Sequence, residues 1–520
     1  MSTEENVDTS KAGPGRPAGA QLPESDRPWS IETNGIEPIA EEERHGRPFE
    51  LFWIWCAANI GILDITYGAF LVTFYGLDLA QAISVMIVGT VLSFLLVGFI
   101  SLAGKLTNAP TLVISRAPFG VKGNGLPTLI SYVNCLGWEI LLTALAVLAA
   151  QSIMQRIGAP HGTAMLAIAF VIIAGGTIVL ALLGHATIAR VQQWCTYAFA
   201  ALTVVFVILE AKNVNMHAVS SLHAGKFLAG VVGGATVVMA GYGLGWVNAA
   251  GDYSRYLPRK SSSAAVVGWT TLGSSVAPIL LGIFGIFLAA SNPNIASSAN
   301  PIGLFADTLP TWFAVPYLLV AVGATMAAVV LNVYSGGLNL LTLGLRTERY
   351  KTVAIDAFVM IAGNIYVLFV AKTFFAPFEG FLITLGVLLA AWSGIFLADM
   401  ALLRWRTGYD EQMLYRGKAF NWCGLAALVI AGTVGLGAVT STSPVFSWVG
   451  YLLSLMGGKT GAVGGSSIGV IISLLLAALT YGVLTLATGQ VGQARGGRAA
   501  AVPGAGGAVS VADPMGAAES

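Results

Sequence analysis

The chain has 520 residues, of which 56% are hydrophobic and 10% are charged, with a formal net charge of +1 and a mean hydropathy of +0.77. Soluble domains carry about 25% charged residues, so this composition excludes an ordinary soluble enzyme and a globular domain held by one membrane anchor. It predicts an all-α integral membrane protein whose main surroundings are the lipid bilayer. The balanced charge gives no indication of a nucleic-acid partner.

Apolar runs long enough to cross a bilayer, about 20 residues each, recur along the chain. We predict twelve transmembrane helices, near residues 51–75, 79–104, 127–154, 164–183, 190–209, 228–250, 265–290, 313–345, 353–372, 376–398, 420–442 and 463–488. The polar residues 1–48 and the Gly- and Ala-rich residues 489–520 are predicted to be disordered tails.

Lysine and arginine in the loops indicate the orientation of the spans. If the N-terminus is cytoplasmic, the inner loops and helix ends hold fourteen basic residues and the outer ones hold five. This asymmetry predicts a multi-pass protein of the cytoplasmic membrane with both termini in the cytoplasm.

The sixth span contains the stretch VMAGYGLGWVNAAGDYSR, in which Gly241, Gly243 and Gly245 precede Trp246 and Asn248. Glycine destabilises a helix by about 1 kcal/mol relative to alanine. In lipid, an interrupted helix is tolerated only where it is buried in protein or lines a cavity. The pattern therefore favours a discontinuous helix at a substrate site, and the alternative is close packing of small residues between helices.

The first span is interrupted as well, by Asn59, Gly61 and Asp64 near its middle. Breaks at corresponding positions of two halves are typical of transporters whose site lies between inverted repeats. The two breaks together favour a transporter.

Two carboxylates, Asp64 and Glu139, lie deepest in the apolar runs. A charge at the bilayer centre costs at least ~2.5–3.5 kcal/mol, so such residues usually face a cavity or a proton relay. Either residue is a candidate for ion coupling, and the alternative is a structural hydrogen bond between helices. Asp252 and Arg255, three residues apart at a helix end, are predicted to form an ion pair.

Flat and polar side chains in the third, sixth and eighth spans are candidates for holding a planar ligand. Trp138 and Trp246 each offer an aromatic face. Asn332, Ser335 and Asn339 recur at helical spacing and share a face. Their amides and hydroxyl could read a polar ring, hold a cation together with carbonyls of the first-span break, or only bond neighbouring helices.

The sequence contains no Walker motif, zinc-ligand spacing or nucleophile elbow. We therefore expect neither an enzyme nor a cofactor.

Several segments, in order over residues 34 to 450, resemble the purine–cytosine permease family of nucleobase:cation symporters. They are NGIEPIAEEERHGRPFELFW, APTLVISRAPFGVKGNGLP, LGWE, AAGDYSRYLPR and NVYSGGLNL. The resemblance implies a five-plus-five inverted-repeat core of the leucine-transporter type, in residues 49–209 and 228–400, with two accessory spans in residues 420–488.

The resemblance also implies roles for individual residues. Trp138 would stack on a nucleobase, and Gly243, Gly245 and Trp246 would pack its other side. Further substrate-binding residues are implied at Asn59, Gln192, Asn332 and Asn339, and an ion site at Ala57 and Ser335. Asp64 and Glu139 remain ion-coupling candidates because of their position in the apolar runs.

The sequence departs from the family pattern at positions that bear on substrate and ion. Leu142 stands where many relatives have an amide, and Gln192 where fungal relatives have a carboxylate. Gly336 follows Ser335 where sodium-driven relatives have a second hydroxyl, which favours protons over sodium.

We therefore expect an importer of cytosine or of purines such as adenine, guanine and hypoxanthine, working by proton symport. The alternatives are a permease for allantoin, uracil, a pyridoxine-like vitamin or a thiamine pyrimidine, and a transporter-like nutrient sensor. The sequence leaves the oligomeric state open.

Overall fold

The computed structural model describes residues 29–490 apart from 33, 298–303, 305–306, 372–374 and 442, and over these residues the regular structure is entirely helical. Residues 1–28 and 491–520, which belong to the predicted disordered tails, lie outside the described residues. Ten helices in the described part of the chain are long and apolar enough to cross a membrane. A bent helix pair and a shorter apolar helix bring the number of spans to twelve.

The spans are numbered here in chain order. Span 1 consists of Glu50–Ala58 and Ile62–Thr73, and span 6 runs through Phe227–Val232, Gly233–Gly241, Gly243–Trp246, Val247–Ala249 and Ala250–Ser254. The others are Leu79–Thr107 (span 2), Gly125–Arg156 (3), Thr163–Leu182 (4), Gly184–Glu210 (5), Ser263–Ser291 (7), Thr311–Leu343 (8), Arg349–Phe369 (9), Phe375–Asp399 continued by Met400–Arg404 (10), Trp422–Gly437 (11) and Gly469–Ala487 (12).

Short helices connect the spans. They are Glu41–Glu43, Thr111–Ile114, Arg116–Phe119, Ala211–Asn213, Met216–Ser220, Asn294–Ser297, Trp405–Thr407, Glu411–Arg416, Pro444–Phe446, Leu453–Met456 and Ala462–Ser466. The interruptions predicted in spans 1 and 6 are both present, and no other span listed above is divided into as many pieces as span 6 within the described residues.

The break in span 1 is formed by Asn59 and Gly61. The two helical halves are bent by 62° from one another. Gly61 is extended, with φ −160° and ψ 165°, and its N–H donates to the Asp64 carboxylate at 3.0 Å. The carboxylate therefore satisfies the backbone N–H of the N-cap residue, as the third residue of a helix does in a capping box.

The break in span 6 lies at Tyr242, whose φ of −109° and ψ of −106° are outside the helical region. The N–H of Gly243 donates to the Ser93 hydroxyl of span 2 at 3.2 Å, and the carbonyl of Gly245 accepts from the Asn134 amide of span 3 at 2.9 Å. Backbone groups freed by the break are thus satisfied by neighbouring spans, as a low-dielectric interior requires.

Small residues bring the spans close enough for these contacts. A Cβ added at Gly68 in span 1 would lie 1.9 Å from the Gly282 carbonyl oxygen in span 7, and one at Gly104 in span 2 would lie 2.5 Å from that of Gly251 in span 6. At both crossings only glycine fits without moving a helix.

The N-terminal segment corrects the prediction of a disordered tail up to residue 48, because the described residues from 29 onward fold against the bundle. Glu32 is 4% exposed and Ile39 2%. Glu32 accepts from Tyr256 at 2.5 Å, from Tyr334 at 3.0 Å and from the His185 N–H at 2.6 Å, and pairs with Arg255 at 3.5 Å.

The charge balance around Glu32 explains why a polar segment stays folded. Burial by itself raises the pKa of Glu32, but the positive charges of Arg349 and Arg255 and the hydrogen bonds outweigh it, so the pKa is lowered. The carboxylate is therefore held in its charged form at a junction of spans 5, 6, 8 and 9.

Candidate functional site

A cavity lies between the two helix breaks. It is lined by residues of spans 1, 3, 5, 6 and 8: Ala58, Asn59, Ile60, Gly61, Leu63, Asp64, Tyr67, Trp138, Leu142, Leu145, Phe199, Gly241, Tyr242, Trp246, Ala321, Ala324, Thr325 and Ala328. Most of the lining is apolar or aromatic, with few polar groups, which is the usual make-up of a small-molecule site.

Two tryptophans on different spans contribute to the cavity wall. Trp138 of span 3 and Trp246 of span 6 both line the cavity and are 9% and 8% exposed. Trp246 is held by an edge contact with Trp55, whose ring centroid lies 5.6 Å away. Gly245 lies against the Trp138 indole, because a Cβ there would be 3.0 Å from its Nε1.

The polar lining is concentrated at the span 1 break. Asn59 lines the cavity and donates its amide to the Trp55 carbonyl at 2.9 Å, which leaves the amide oxygen of this side chain for other partners. The Asp64 carboxylate lies beside the Tyr242 hydroxyl, and both residues line the cavity. A carboxylate, an amide and a phenol therefore meet at one end of an aromatic chamber.

Five of the residues expected to bind substrate lie outside the lining: Gly243, Gly245, Gln192, Asn332 and Asn339. Gln192 donates to the Ala327 carbonyl at 2.9 Å, and Asn332 donates to the Ala328 carbonyl at 3.1 Å. Asn339 donates to the Ser131 hydroxyl at 2.8 Å, which also accepts from Asn248 at 2.8 Å. The Gln192 bond joins spans 5 and 8 and the Asn339 bond joins spans 8 and 3, whereas the Asn332 bond lies within span 8.

The expected ion-coupling residues are dispersed. Asp64 lines the cavity, whereas Ala57 is buried in the last turn before the span 1 break and Glu139 is buried behind Trp138. Ser335 donates its hydroxyl to Asp252 at 2.7 Å.

Asp252 corrects the predicted ion pair with Arg255. Asp252 accepts from the N–H and hydroxyl of Thr111 at 2.8 and 2.9 Å as well as from Ser335, while Arg255 donates to Gly35 and pairs with Glu32. The spacing of three residues favours a local pair, but the carboxylate and the guanidinium each bind partners on other elements of the structure.

Several residues of the site were not identified from the sequence. Tyr67, Phe199, Tyr242 and Thr325 line the cavity, and Asp356 of span 9 lies against Glu139. Asp356 carried a usable signal, because it is a carboxylate inside an apolar run. The aromatic residues carried none, since aromatic side chains are common throughout the chain.

Comparison with known proteins places the chain among permeases. A family model described as "Permease for cytosine/purines, uracil, thiamine, allantoin" matches residues 38–464. A candidate purine-cytosine permease of Bacillus subtilis is 25% identical over 476 residues, covering 87% of this chain and 96% of its own length. A purine-cytosine permease of Saccharomyces cerevisiae is 25% identical over 359 residues, covering 61% and 64%.

Solved structures with the same arrangement of helices include two transporters. One is a nucleobase-cation-symport-1 family transporter in a closed conformation with bromovinylhydantoin bound, with a TM-score of 0.68, 19% identity and coverage of 87% of this chain and 96% of that one. The other is a Na⁺-coupled sialic acid symporter, with a TM-score of 0.58, 11% identity and coverage of 85% and 91%. The likeness confirms the predicted all-helical transporter fold.

Proposed function

Because the chain belongs to the family of permeases for cytosine/purines, uracil, thiamine and allantoin, we propose that it imports a nucleobase by proton symport. The substrates proposed are cytosine and purines such as adenine, guanine and hypoxanthine. The protein works in the cytoplasmic membrane with both termini in the cytoplasm.

The observation that carries this proposal is the cavity between the span 1 and span 6 breaks, with Trp138 and Trp246 in its lining. Any nucleobase can stack on an aromatic ring because every base has a π-face, and stacking contributes about 1–3 kcal/mol per base. A chamber with two indoles and few polar groups suits a flat, neutral ring better than a charged or flexible solute.

Recognition of the base edge is proposed for the polar end of the chamber. The edges of cytosine and of the purines carry N–H donors next to ring-nitrogen or carbonyl acceptors. Asp64 can accept from such donors, and the Asn59 amide and the Tyr242 hydroxyl can each match donor or acceptor. Leu142, also in the lining, supports apolar contact with the ring.

Coupling to protons is supported by the groups available near the cavity. Asp64 is a titratable group in the cavity wall. The sodium alternative needs several oxygen ligands held together, and Ser335, whose hydroxyl donates to Asp252 at 2.7 Å, lies outside the cavity lining. Gly336, the next residue, has no side-chain oxygen.

A second candidate is a related ring within the same family, such as uracil, allantoin, a pyridoxine-like vitamin or a thiamine pyrimidine. It is favoured by the hydantoin ring bound to the structural neighbour and by the absence of an amide at Leu142. A third, from another class, is a nutrient sensor that binds the base without moving it.

Uptake into proteoliposomes tests the proposal. Labelled cytosine and hypoxanthine are offered with an inward proton gradient, an inward sodium gradient, or neither, against a panel of unlabelled rings. We expect accumulation driven by protons alone, removed by a protonophore and blocked by nucleobases. Binding without uptake would identify a sensor, competition by hydantoins or uracil alone would change the substrate, and accumulation driven by sodium at equal pH would overturn proton coupling.

A further inference from the structure

Two carboxyl groups face each other between spans 3 and 9, outside the substrate cavity. Glu139 and Asp356 are both 0% exposed, and their side chains lie within hydrogen-bonding reach of one another. Neither residue lines the cavity. Glu139 follows Trp138 directly in the same helix, so one turn of span 3 carries both the aromatic face of the cavity and one half of this carboxyl pair.

The pair lacks partners that would stabilise two negative charges. No described lysine or arginine forms an ion pair with either residue. The hydrogen-bond donor beside the pair is the neutral hydroxyl of Tyr132, which faces Asp356. The neighbouring titratable groups are Tyr132 and Cys135 of span 3. Asp252 of span 6 acts on Cys135 from the other side and adds negative charge.

Electrostatics then requires a proton at the pair. Ionised carboxylates are acceptors only, so two of them side by side repel and cannot hydrogen-bond to each other. Adjacent carboxyl groups in a buried site share a proton for this reason, and their titration belongs to the pair and not to either residue. A single proton removes one of the two charges and supplies a donor between the two carboxyl groups.

Span 8 leaves room for the pair through Gly336. A Cβ added at this position would lie 3.0 Å from both carboxyl oxygens of Asp356. Close packing continues along the interface, since a Cβ added at Gly363 of span 9 would lie 2.3 Å from the Ile140 Cδ1 of span 3. The residues around the pair are therefore packed so that the carboxyl groups meet without an intervening side chain.

We propose that Glu139 and Asp356 hold one shared proton and form the proton site that is coupled to substrate transport. The coupling part of this inference rests on the proposed import function, whereas the shared proton does not. A shift of span 3 against span 9 would admit water to the pair and release the proton. Because Trp138 is on the same turn of span 3, the same shift would move the aromatic face of the cavity.

Infrared spectroscopy of the purified protein at neutral pH tests the shared proton without any transport. A protonated carboxyl has a carbonyl stretch that a carboxylate lacks. We expect Glu139→Gln and Asp356→Asn each to remove the same band, because either substitution leaves one carboxylate that accepts from the new amide. Glu210→Gln is the matched control, since this buried carboxyl already accepts from Asn213 and Thr308.

The outcome of the infrared experiment is decisive in either direction. A band lost in only one variant would place the proton on a single independent acid, and a band unchanged in both would show that neither carboxyl group carries the proton. Melting temperature supplies a second readout. We expect both amide variants to be at least as stable as the wild type, and a marked loss of stability in both would contradict the shared proton.

Transport by the double variant Glu139→Gln/Asp356→Asn tests the coupling. One pH unit corresponds to about 1.4 kcal/mol, so one coupled proton supports about tenfold accumulation per unit of inward gradient. We expect the double variant to lose this accumulation while retaining exchange of labelled for unlabelled base, and Glu210→Gln to retain both. Accumulation retained in the double variant would refute coupling at this pair, whereas no transport by the wild type would refute the import function and leave the infrared result standing.

Discussion

Replacement of Trp138 provides the most direct measure of how the cavity binds its ligand. Stacking of a base on an aromatic side chain contributes about 1–3 kcal/mol, which corresponds to roughly 5- to 150-fold in affinity. Trp138→Ala should weaken base binding by a factor in this range. Trp138→Phe should recover part of the loss, because a smaller π-face remains in the same wall of the cavity.

Stability has to be separated from affinity in this experiment. Trp138 is 9% exposed, and truncation of a buried tryptophan to alanine typically costs about 3–5 kcal/mol of folding free energy. Binding is therefore measured by calorimetry on monodisperse protein whose melting temperature is recorded in parallel. Trp194→Ala is the control, because Trp194 is 67% exposed on the outside of span 5. Wild-type affinity in folded Trp138→Ala would show that the indole is only part of the wall.

Two further predictions concern positions that support the site from a distance. Glu32→Gln should lower stability by roughly 3 kcal/mol at neutral pH, because it leaves buried cations without their anion. Since the pKa of Glu32 is lowered in the folded protein, the stability that Glu32 contributes is present above the unfolded pKa and is lost as pH falls through the folded value. The difference from the wild type in thermal melting should therefore shrink in acid, and a difference that grows in acid would contradict the assignment. Gly245→Ala places a Cβ 3.0 Å from the Trp138 Nε1, which would cost about 1–3 kcal/mol of stability if the indole could not move. The indole can yield into the cavity, so base affinity should fall while stability changes little; Gly268→Ala, where the added Cβ meets nothing within 4 Å, should leave both unchanged.

The helix breaks could be predicted from the sequence because their cause is local. Gly61 and the Gly241–Gly245 stretch weaken a helix wherever they occur, and a membrane tolerates the weakness only beside a cavity or inside protein. The partners that satisfy the freed backbone groups could not be predicted in the same way. Ser93 and Asn134 are 150 and 111 residues distant from the groups they bind, and nothing in their own surroundings marks them.

Polar contacts made over long sequence separations account for the predictions that the structure corrected. Residues up to 48 have the composition of a disordered segment, but Glu32 meets Arg255 across 223 positions and fixes that segment to the bundle. Asp252 and Arg255 have the spacing of a local ion pair, yet each has stronger partners elsewhere. Composition and spacing describe the structure that a segment favours on its own. The partner of a buried charge depends instead on which opposite charge or hydrogen-bond donor the tertiary fold brings close to it.

The strongest argument about the coupling ion comes from the adjacent residues Ser335 and Gly336 of span 8. The sequence shows one hydroxyl where two would serve a sodium ion, and that alone is a weak indication. In the structure the remaining hydroxyl donates to Asp252, and the position without a side chain lies against the Asp356 carboxyl. A carboxyl group of the protein therefore lies beside each position, Asp252 beside Ser335 and Asp356 beside Gly336. Asp252 is satisfied by Thr111 and Ser335, whereas the donor beside Asp356 and Glu139 is the neutral Tyr132 hydroxyl, and neither carboxyl group has an ion-pair partner among the described residues. Gly336, which offers no side-chain oxygen to a sodium ion, thus also leaves the space beside Asp356 in which the proposed proton-binding pair lies.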